Sequence, residues 1–224
     1  MALGPVGATM TTTTPGPAGT ASRLRAAGGA AATAAVAGLL LGVLTNLAQG
    51  WLPGAWQQIA NSGAVWSAVA FAVGAVLYRE VTAARAAIGG LAAEAALVVG
   101  YYGFAEFGRD GAGNLFFPLV WLAMACVAGP LFGVAGHWWR SGRDTRRRVI
   151  GLAAPAGLFG AEGLTYAWKL HYAGQAWACL ALFALIPLLM AATHKERAAT
   201  LAAAAAFAPL AYAVVELPLQ ALSA

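Results

Sequence analysis

The sequence predicts an all-α fold: a polytopic bundle of transmembrane helices with seven spans, six being the alternative count, and a cytoplasmic amino terminus. Three observations predict it. First, of 224 residues 61% are hydrophobic and only 9% charged, whereas a soluble domain carries about 25% charged residues. So sparse a polar coat leaves lipid as the solvent for the outer surface. Second, the apolar runs are long and rich in Ala, Gly and Leu, without the short alternating segments of an outer-membrane barrel. Third, the basic residues are gathered in short stretches between those runs. The chief of these is His137-Trp138-Trp139-Arg140 through Arg148, which holds five of the 13 Lys and Arg residues. Basic residues flanking spans stay on the cytoplasmic side and Trp settles at the headgroup layer, so this stretch orients the rest.

Taken in order, residues 1–22 are rich in Thr, Pro, Gly and Ala and lack any apolar period. They are expected to form a disordered cytoplasmic tail, and Met10 is an alternative start. Residues 23–224 then form one transmembrane helical domain. Arg23 and Arg25 precede a first span at about 26–48, too long for the apolar part of a signal peptide and followed by no convincing cleavage site. Residues 49–63 carry no charge. Pro53-Gly54 breaks the helix there, and Trp51, Leu52, Trp56 and Ile59 are spaced for one apolar face. This reads as a short interfacial helix on the outer surface, either an aromatic anchor or a lid.

The second and third spans are expected at about 64–78 and 81–107, separated by Arg79-Glu80. A turn over 109–114 leads to a fourth span at about 115–136, whose Gly129-x-x-x-Gly133 spacing lets a neighbouring helix approach closely. After the basic stretch come a fifth span at about 149–168, a link over Lys169–Tyr172 and a sixth at about 173–193. The turn His194-Lys195-Glu196-Arg197 precedes a seventh at about 198–219. In this layout eleven of the 13 basic residues fall inside, and Arg109 and Lys169 fall outside, as the positive-inside rule requires. The location expected is the cell membrane. Because the positive charge is a topology signal, no nucleic-acid partner is expected.

Of eight acidic residues, Glu94, Glu106, Glu162 and Glu216 lie within spans or at their outer ends. A carboxylate at membrane depth is unfavourable by several kcal/mol unless neutral, paired or hydrated, so each is a candidate site residue. Glu106 and Glu216 also fit plain hydrated helix ends. Tyr102 and Glu106, Glu162 and Tyr166, and Tyr212 and Glu216 are each four residues apart, placing phenol and carboxyl on one helix face. Glu162 falls roughly 20 Å along its span, in the outer half. Glu94 lies deeper, seven residues before Tyr101 and on about the same face. The expectation is an outward-opening pocket of acids and aromatics, roofed by Trp51, Trp56, Trp168 and Tyr172. Most of these aromatics would equally serve as interface belts.

Several chemistries lack their residues. There is no phosphate-gripping GxxxxGK[ST] loop, no HExxH or paired-His spacing, no GxSxG elbow and no Asp-rich cluster for magnesium diphosphate. Cofactors and metals are therefore not expected. Cys126 and Cys179 fall inside spans and read as small buried hydrophobes.

The run Asn61-Ser62-Gly63-Ala64-x-Trp66, the segment Gly100-Tyr101-Tyr102, Ala128-Gly129-Pro130-x-x-Gly133 leading into His137-Trp138-Trp139-Arg140, and Ala161-Glu162-Gly163 together resemble an uncharacterised family of small multi-pass membrane proteins of high-GC bacteria. That resemblance covers about residues 35–190 and implies architecture and the interest of Glu162. In size, span count and isolated intramembrane acids the chain also looks like the seven-span membrane terpene cyclases, a likeness at the level of the fold.

Three functions follow as expectations. One is a metal-free cyclase acting on a prenylated lipid. Such a reaction needs a protonated carboxyl group in an apolar site and aromatic faces to stabilise carbocations. Glu162 would be the acid and Glu94 the alternate, with Tyr101, Tyr102, Tyr166, Trp66 and Trp121 as lining and Glu106 and Glu216 near the mouth. Another is a substrate-binding component of a transporter for a small cationic solute, since carboxylates and aromatics also bind cations. The third is a structural membrane protein without a ligand.

Overall fold

The computed structural model describes residues 17–79, 81–109, 111, 113–142 and 144–216, and within them the side chains of all but 17–27, 78 and 216. The described residues form eight α-helices and no strand: α1 (Pro17–Trp51), α2 (Ala55–Ala60), α3 (Gly63–Val76), α4 (Ala83–Gly108), α5 (Phe116–Ser141), α6 (Thr145–Leu164), α7 (Ala173–Met190) and α8 (His194–Ala211). A 3-10 turn follows α3 at Leu77–Arg79, and π-helical turns extend α6 over Thr165–Lys169 and α8 over Tyr212–Glu216. Five of the helices are long and apolar enough to cross a membrane: α1 from Gly28, α4, α5, α7, and α8 continued to Val215. The protein is therefore a membrane-embedded helical bundle. Most of the expected tail, residues 1–16, lies outside the described residues.

Besides the six-residue α2, two helices fall outside that set for different physical reasons. With 14 residues, α3 is about 21 Å long, short of the roughly 30 Å hydrocarbon layer. Helix α6 is long enough at 20 residues but opens on Thr145-Arg146-Arg147-Arg148. It is nonetheless the central helix. Eleven of its residues, among them Leu152, Pro155, Phe159 and Glu162, are buried, so its low hydropathy is tolerated by contact with protein instead of lipid.

Helix directions follow from which glycines touch which backbones. Gly38 and Gly42 of α1 abut Ala93 and Leu97, so α1 runs parallel to α4. Gly90 abuts Gly129 and Gly133, while Gly133 abuts Ala86, so α4 and α5 are antiparallel. Gly89 meets Val73 and, in the 3-10 turn, Leu77, while Glu94 meets Ser67, so α3 and α4 are antiparallel. Gly151 meets Ala135 and Trp139 of α5, Gly163 meets Cys179 and Leu180 of α7, and Gly157 meets Ala204 and Phe207 of α8. The long helices thus alternate in direction along the chain. Between lipid-facing helices there is little hydrophobic force, so close packing at small residues carries the association. The Gly129-x-x-x-Gly133 spacing is one such seam; Gly38-x-x-x-Gly42 is a second that the sequence reading passed over.

The basic stretch differs from the expected loop. Helix α5 continues through His137-Trp138-Trp139-Arg140 to Ser141, where Gly142 takes φ 67° as a left-handed cap. Helix α6 resumes at Thr145, capped by the Asp144 carboxylate accepting from Arg146 N–H at 2.9 Å. Helical periodicity then turns the two tryptophans to different faces. Trp139 stacks on Phe71 with ring centroids 5.5 Å apart and donates its Nε1–H to the Met190 carbonyl at 3.3 Å. Arg147 lies over the Trp138 ring instead. Likewise His194–Arg197 is the first turn of α8, not a connecting turn. Thr193 Oγ1 accepts from Glu196 N–H at 3.2 Å and the Glu196 carboxylate accepts from Ala192 N–H at 3.0 Å. That Thr-x-x-Glu pattern, legible in the sequence, is a variant of the capping box in which the carboxylate takes the amide one residue before the N-cap.

Gly133→Leu should lower the thermal midpoint in detergent, since overpacking costs about 1–3 kcal/mol or more at a close backbone contact. Gly103→Ala, where nothing lies within 4 Å of the added methyl, should leave the midpoint unchanged or raise it slightly. Equal loss in both variants would contradict the seam.

Candidate functional site

The interior between α1, α3, α4, α5 and α6 holds two buried carboxyl groups with aromatic rings between them. Glu162 sits on α6 immediately before the π-helical turn, a distortion frequent at functional sites. Its Oε1 accepts the backbone N–H of Ala64 at 2.8 Å. Ala64 belongs to the first turn of α3, whose N-terminal amides have no intrahelical acceptors. Ser62 Oγ accepts from Val65 N–H at 3.1 Å, so Ser62 and Glu162 together cap α3. The helix dipole adds an attraction for the carboxylate. Glu162 is thus, at the least, a tether between the central helix and α3.

Glu94 lies deeper on α4 and is 5% exposed. Its Oε1 accepts from Ser67 Oγ–H at 3.3 Å, whereas its Oε2 is buried with no hydrogen-bond partner. One helical turn and more above it, four rings make a continuous cluster. Trp66 lies 5.1 Å from Tyr101 and 5.1 Å from Trp121, tilted to both, and Tyr101 meets Tyr102 edge-on at 5.0 Å. These are the spacings at which ring edges and faces attract. Trp66 is 2% exposed and its Nε1–H is buried without an acceptor. Gly63 joins the cluster to Glu162: a Cβ there would lie 3.5 Å from Glu162 Oε1 and 3.6 Å from Trp121 Cζ3.

Toward the end of the bundle away from the basic stretch, polar groups continue the line. Tyr101 donates its hydroxyl to Gln49 Oε1 at 2.9 Å, Asn46 Nδ2 donates to the Tyr101 carbonyl at 3.1 Å, and Arg109 donates to the Asn46 carbonyl at 2.7 Å. Helix α2 closes over the same end. Ile59 is buried, and Gln175 of α7 donates to Gln58 at 3.3 Å.

Six of the candidate residues, Glu94, Trp66, Tyr101, Tyr102, Trp121 and Glu162, therefore lie along one interior strip. Tyr166 is buried on the other side of Glu162, packed with Ala64, Phe159, Ala176 and Cys179. Glu106 is exposed near the end of α4, apart from the strip. The side chain of Glu216 lies outside the described residues. The expected roof also differs: Trp51, Trp56 and Trp168 are 72%, 54% and 73% exposed, the disposition of an interfacial belt. Sequence reasoning missed Ser67, Asn46 and Gln49, since an isolated Ser, Asn or Gln in an apolar run gives no periodic signal. Among the described residues no three His, Cys, Asp or Glu side chains gather as metal ligands.

A family model described as "Family of unknown function (DUF6518)" matches residues 21–221. No curated protein and no solved structure matches.

Glu162→Ala should destabilise the bundle by about 1–3 kcal/mol, the cost of orphaning a buried N–H. Glu162→Gln, which keeps an acceptor for Ala64, should recover most of that loss. Thermal unfolding in detergent measures both, and equal midpoints for the two variants would refute the capping role.

Proposed function

We propose, for a chain that belongs to this family of unknown function, that the interior strip binds a largely apolar, unsaturated lipid of the prenylated class and cyclises it without a metal. The observation that carries this reading is the four-ring cluster held between two buried carboxyl groups. Aromatic faces stabilise cations, best where water is absent. An acid-initiated cyclisation needs such faces along the path of the migrating charge and one carboxyl group to give and retake a proton.

In this reading the two acids exchange the roles expected from the sequence. Glu162 is engaged in capping α3, so its displacement would uncap a helix. Glu94 shares one oxygen with Ser67 and keeps the other unengaged, which suits a proton donor. In the proposed step, the Glu94 O–H proton adds to an alkene carbon and the π bond breaks. The π pair of a second alkene closes the ring on the resulting cation. Loss of a proton from a neighbouring carbon to the Glu94 carboxylate forms the product alkene and restores the acid. The net change is isomerisation, with no oxidant consumed. Ser67 positions the carboxyl group, and Trp66, Tyr101, Tyr102 and Trp121 face the cation.

A hydrophilic cation fits less well, because Arg109 stands with Asn46 and Gln49 at the end through which such a solute would enter. For topology, the reading is that the chain passes through the membrane seven times, α3 making its pass as a short helix completed by the flanking segments, with the basic end in the cytoplasm. The alternating helix directions support it. They collect Arg79, Arg85, Arg140, Arg146–Arg148, Lys195 and Arg197 at one end, and leave Arg109 and Lys169 at the other.

Two measurements test this. Purified protein in detergent, given a panel of prenylated lipids, should convert one of them. Glu94→Gln should lower product formation by about a hundredfold or more while retaining the wild-type thermal midpoint. Stabilisation by a cationic vitamin, with no lipid converted, would overturn the cyclase in favour of transport. For topology, single cysteines at Gly142 and Gly113 should react with an impermeant thiol reagent from opposite sides of the membrane, Gly113 from outside. Labelling from one side would reduce the span count.

A further inference from the structure

At the opposite end of the bundle a second feature stands apart from the aromatic strip. A cavity of ≈ 210 Å³ lies between the last turn of α5, the first turns of α6 and α8, and the link joining α7 to α8. Its apolar wall is Trp139, Leu152 and Met190; its polar wall is Arg140, Arg148, Glu196 and Thr200. The volume is below that of a drug-sized pocket and suits a small group.

The polar wall has a definite sign. Glu196 is 6% exposed, and its carboxylate is engaged by the Arg148 guanidinium on one oxygen and by Ala192 N–H on the other. The acid is thereby neutralised and is not presented to a ligand. Arg140 adds a further guanidinium to the wall, 5.3 Å over the Trp139 ring. The cavity accordingly carries net positive charge. The second, independent observation is Thr200. It is 0% exposed, forms part of the cavity wall, and its Oγ1 has no hydrogen-bond partner. Buried hydroxyls are ordinarily bonded, and a Thr inside a helix usually finds the carbonyl one turn back. Here the donor is left for something in the cavity.

We propose that this cavity binds a phosphate group, accepting hydrogen bonds from Thr200 Oγ1 and from the Arg140 and Arg148 guanidinium groups. Phosphate oxygens accept from every donor on the wall, and arginine forks match them in geometry. A cation is disfavoured, since both Glu196 oxygens are already engaged. The phosphate comes from one of two sources, an anionic phospholipid headgroup at the interface or a soluble phosphate ester. The apolar Trp139, Leu152 and Met190 wall would lie against the glycerol and first methylenes of the former.

The test uses purified full-length protein in neutral detergent. The probes are inorganic phosphate, dioleoyl phosphatidylglycerol, and dioleoylglycerol as the phosphate-free control. Binding is read by native mass spectrometry and by the shift in thermal midpoint. Saturable binding of phosphatidylglycerol but not of dioleoylglycerol is expected. Thr200→Val, which removes an unbonded hydroxyl and keeps the side-chain shape, should weaken it about tenfold, the worth of one hydrogen bond to a charged group. Arg140→Gln should weaken it similarly, and the exposed Arg147→Gln should leave it unchanged. Retention of phosphatidylglycerol alone assigns the lipid source; saturable binding of inorganic phosphate as well assigns the soluble one. Binding of neither, unaltered binding in Thr200→Val, or equal weakening by Arg147→Gln would overturn the proposal.

Discussion

The hydrogen bond from Ala64 N–H to Glu162 is the contact on which the interior depends. In lipid every backbone amide must find an acceptor within the protein, and a helix end leaves four without one. A helix that crosses the whole bilayer can place those ends in water. Helix α3 is too short to do so, and its N-terminus is covered by α2 on one side and by α6 on the other. Ser62 supplies one acceptor from within the same turn. The second has to come from elsewhere, and a carboxylate from the central helix meets both the hydrogen-bonding need and the sign of the helix dipole. A shortened helix leaves room beside it for large side chains, and Trp66, Trp121 and Tyr101 occupy the space at its outer half.

Helix α6 is fixed in the same manner at its other end. Arg148 pairs with Glu196, and Glu196 in turn holds the Ala192 amide just before α8. The two tethers are separated by about 21 Å along one helix axis, and each connects α6 to the N-terminus of a neighbour. Between them α6 presents small residues: Gly151, Ala153, Ala156, Gly157, Gly160 and Ala161 are all buried. Such positions allow close approach, while Leu152 and Phe159 among them interlock with the neighbouring helices. The polar pairs at the two ends add directional contacts to that packing.

Much of this was legible in the sequence. Apart from the start of α1, the apolar runs marked each long helix to within about five residues, because exclusion from water leaves composition as the dominant signal. The four acids stood out because lipid makes each one costly. What stayed hidden were boundaries set by capping and partners set by tertiary contact. His137–Arg140 looked like loop because it is basic, yet the helix stops only where Gly142 can adopt a left-handed conformation. The strip of Trp66, Tyr101, Tyr102 and Trp121 could be suspected from residue type, but their mutual contact depends on how α3, α4 and α5 cross. Nothing in the local pattern announces that Ser67 reaches Glu94, or that Glu162 reaches across 98 positions to Ala64.

The arrangement also constrains how the two ends can act. A ligand entering the aromatic strip from the outer end would displace or tilt α2 and the start of α3. Any such movement bears on the Ala64–Glu162 contact and hence on α6. At the basic end, a phosphate drawn to Arg148 would compete with Glu196 for the same guanidinium, and Glu196 anchors α8. Both sites therefore act on the same helix, through Glu162 at one end and Arg148 at the other. Coupling of this kind needs no wire of contacts through the core, only a helix whose position is set at its ends.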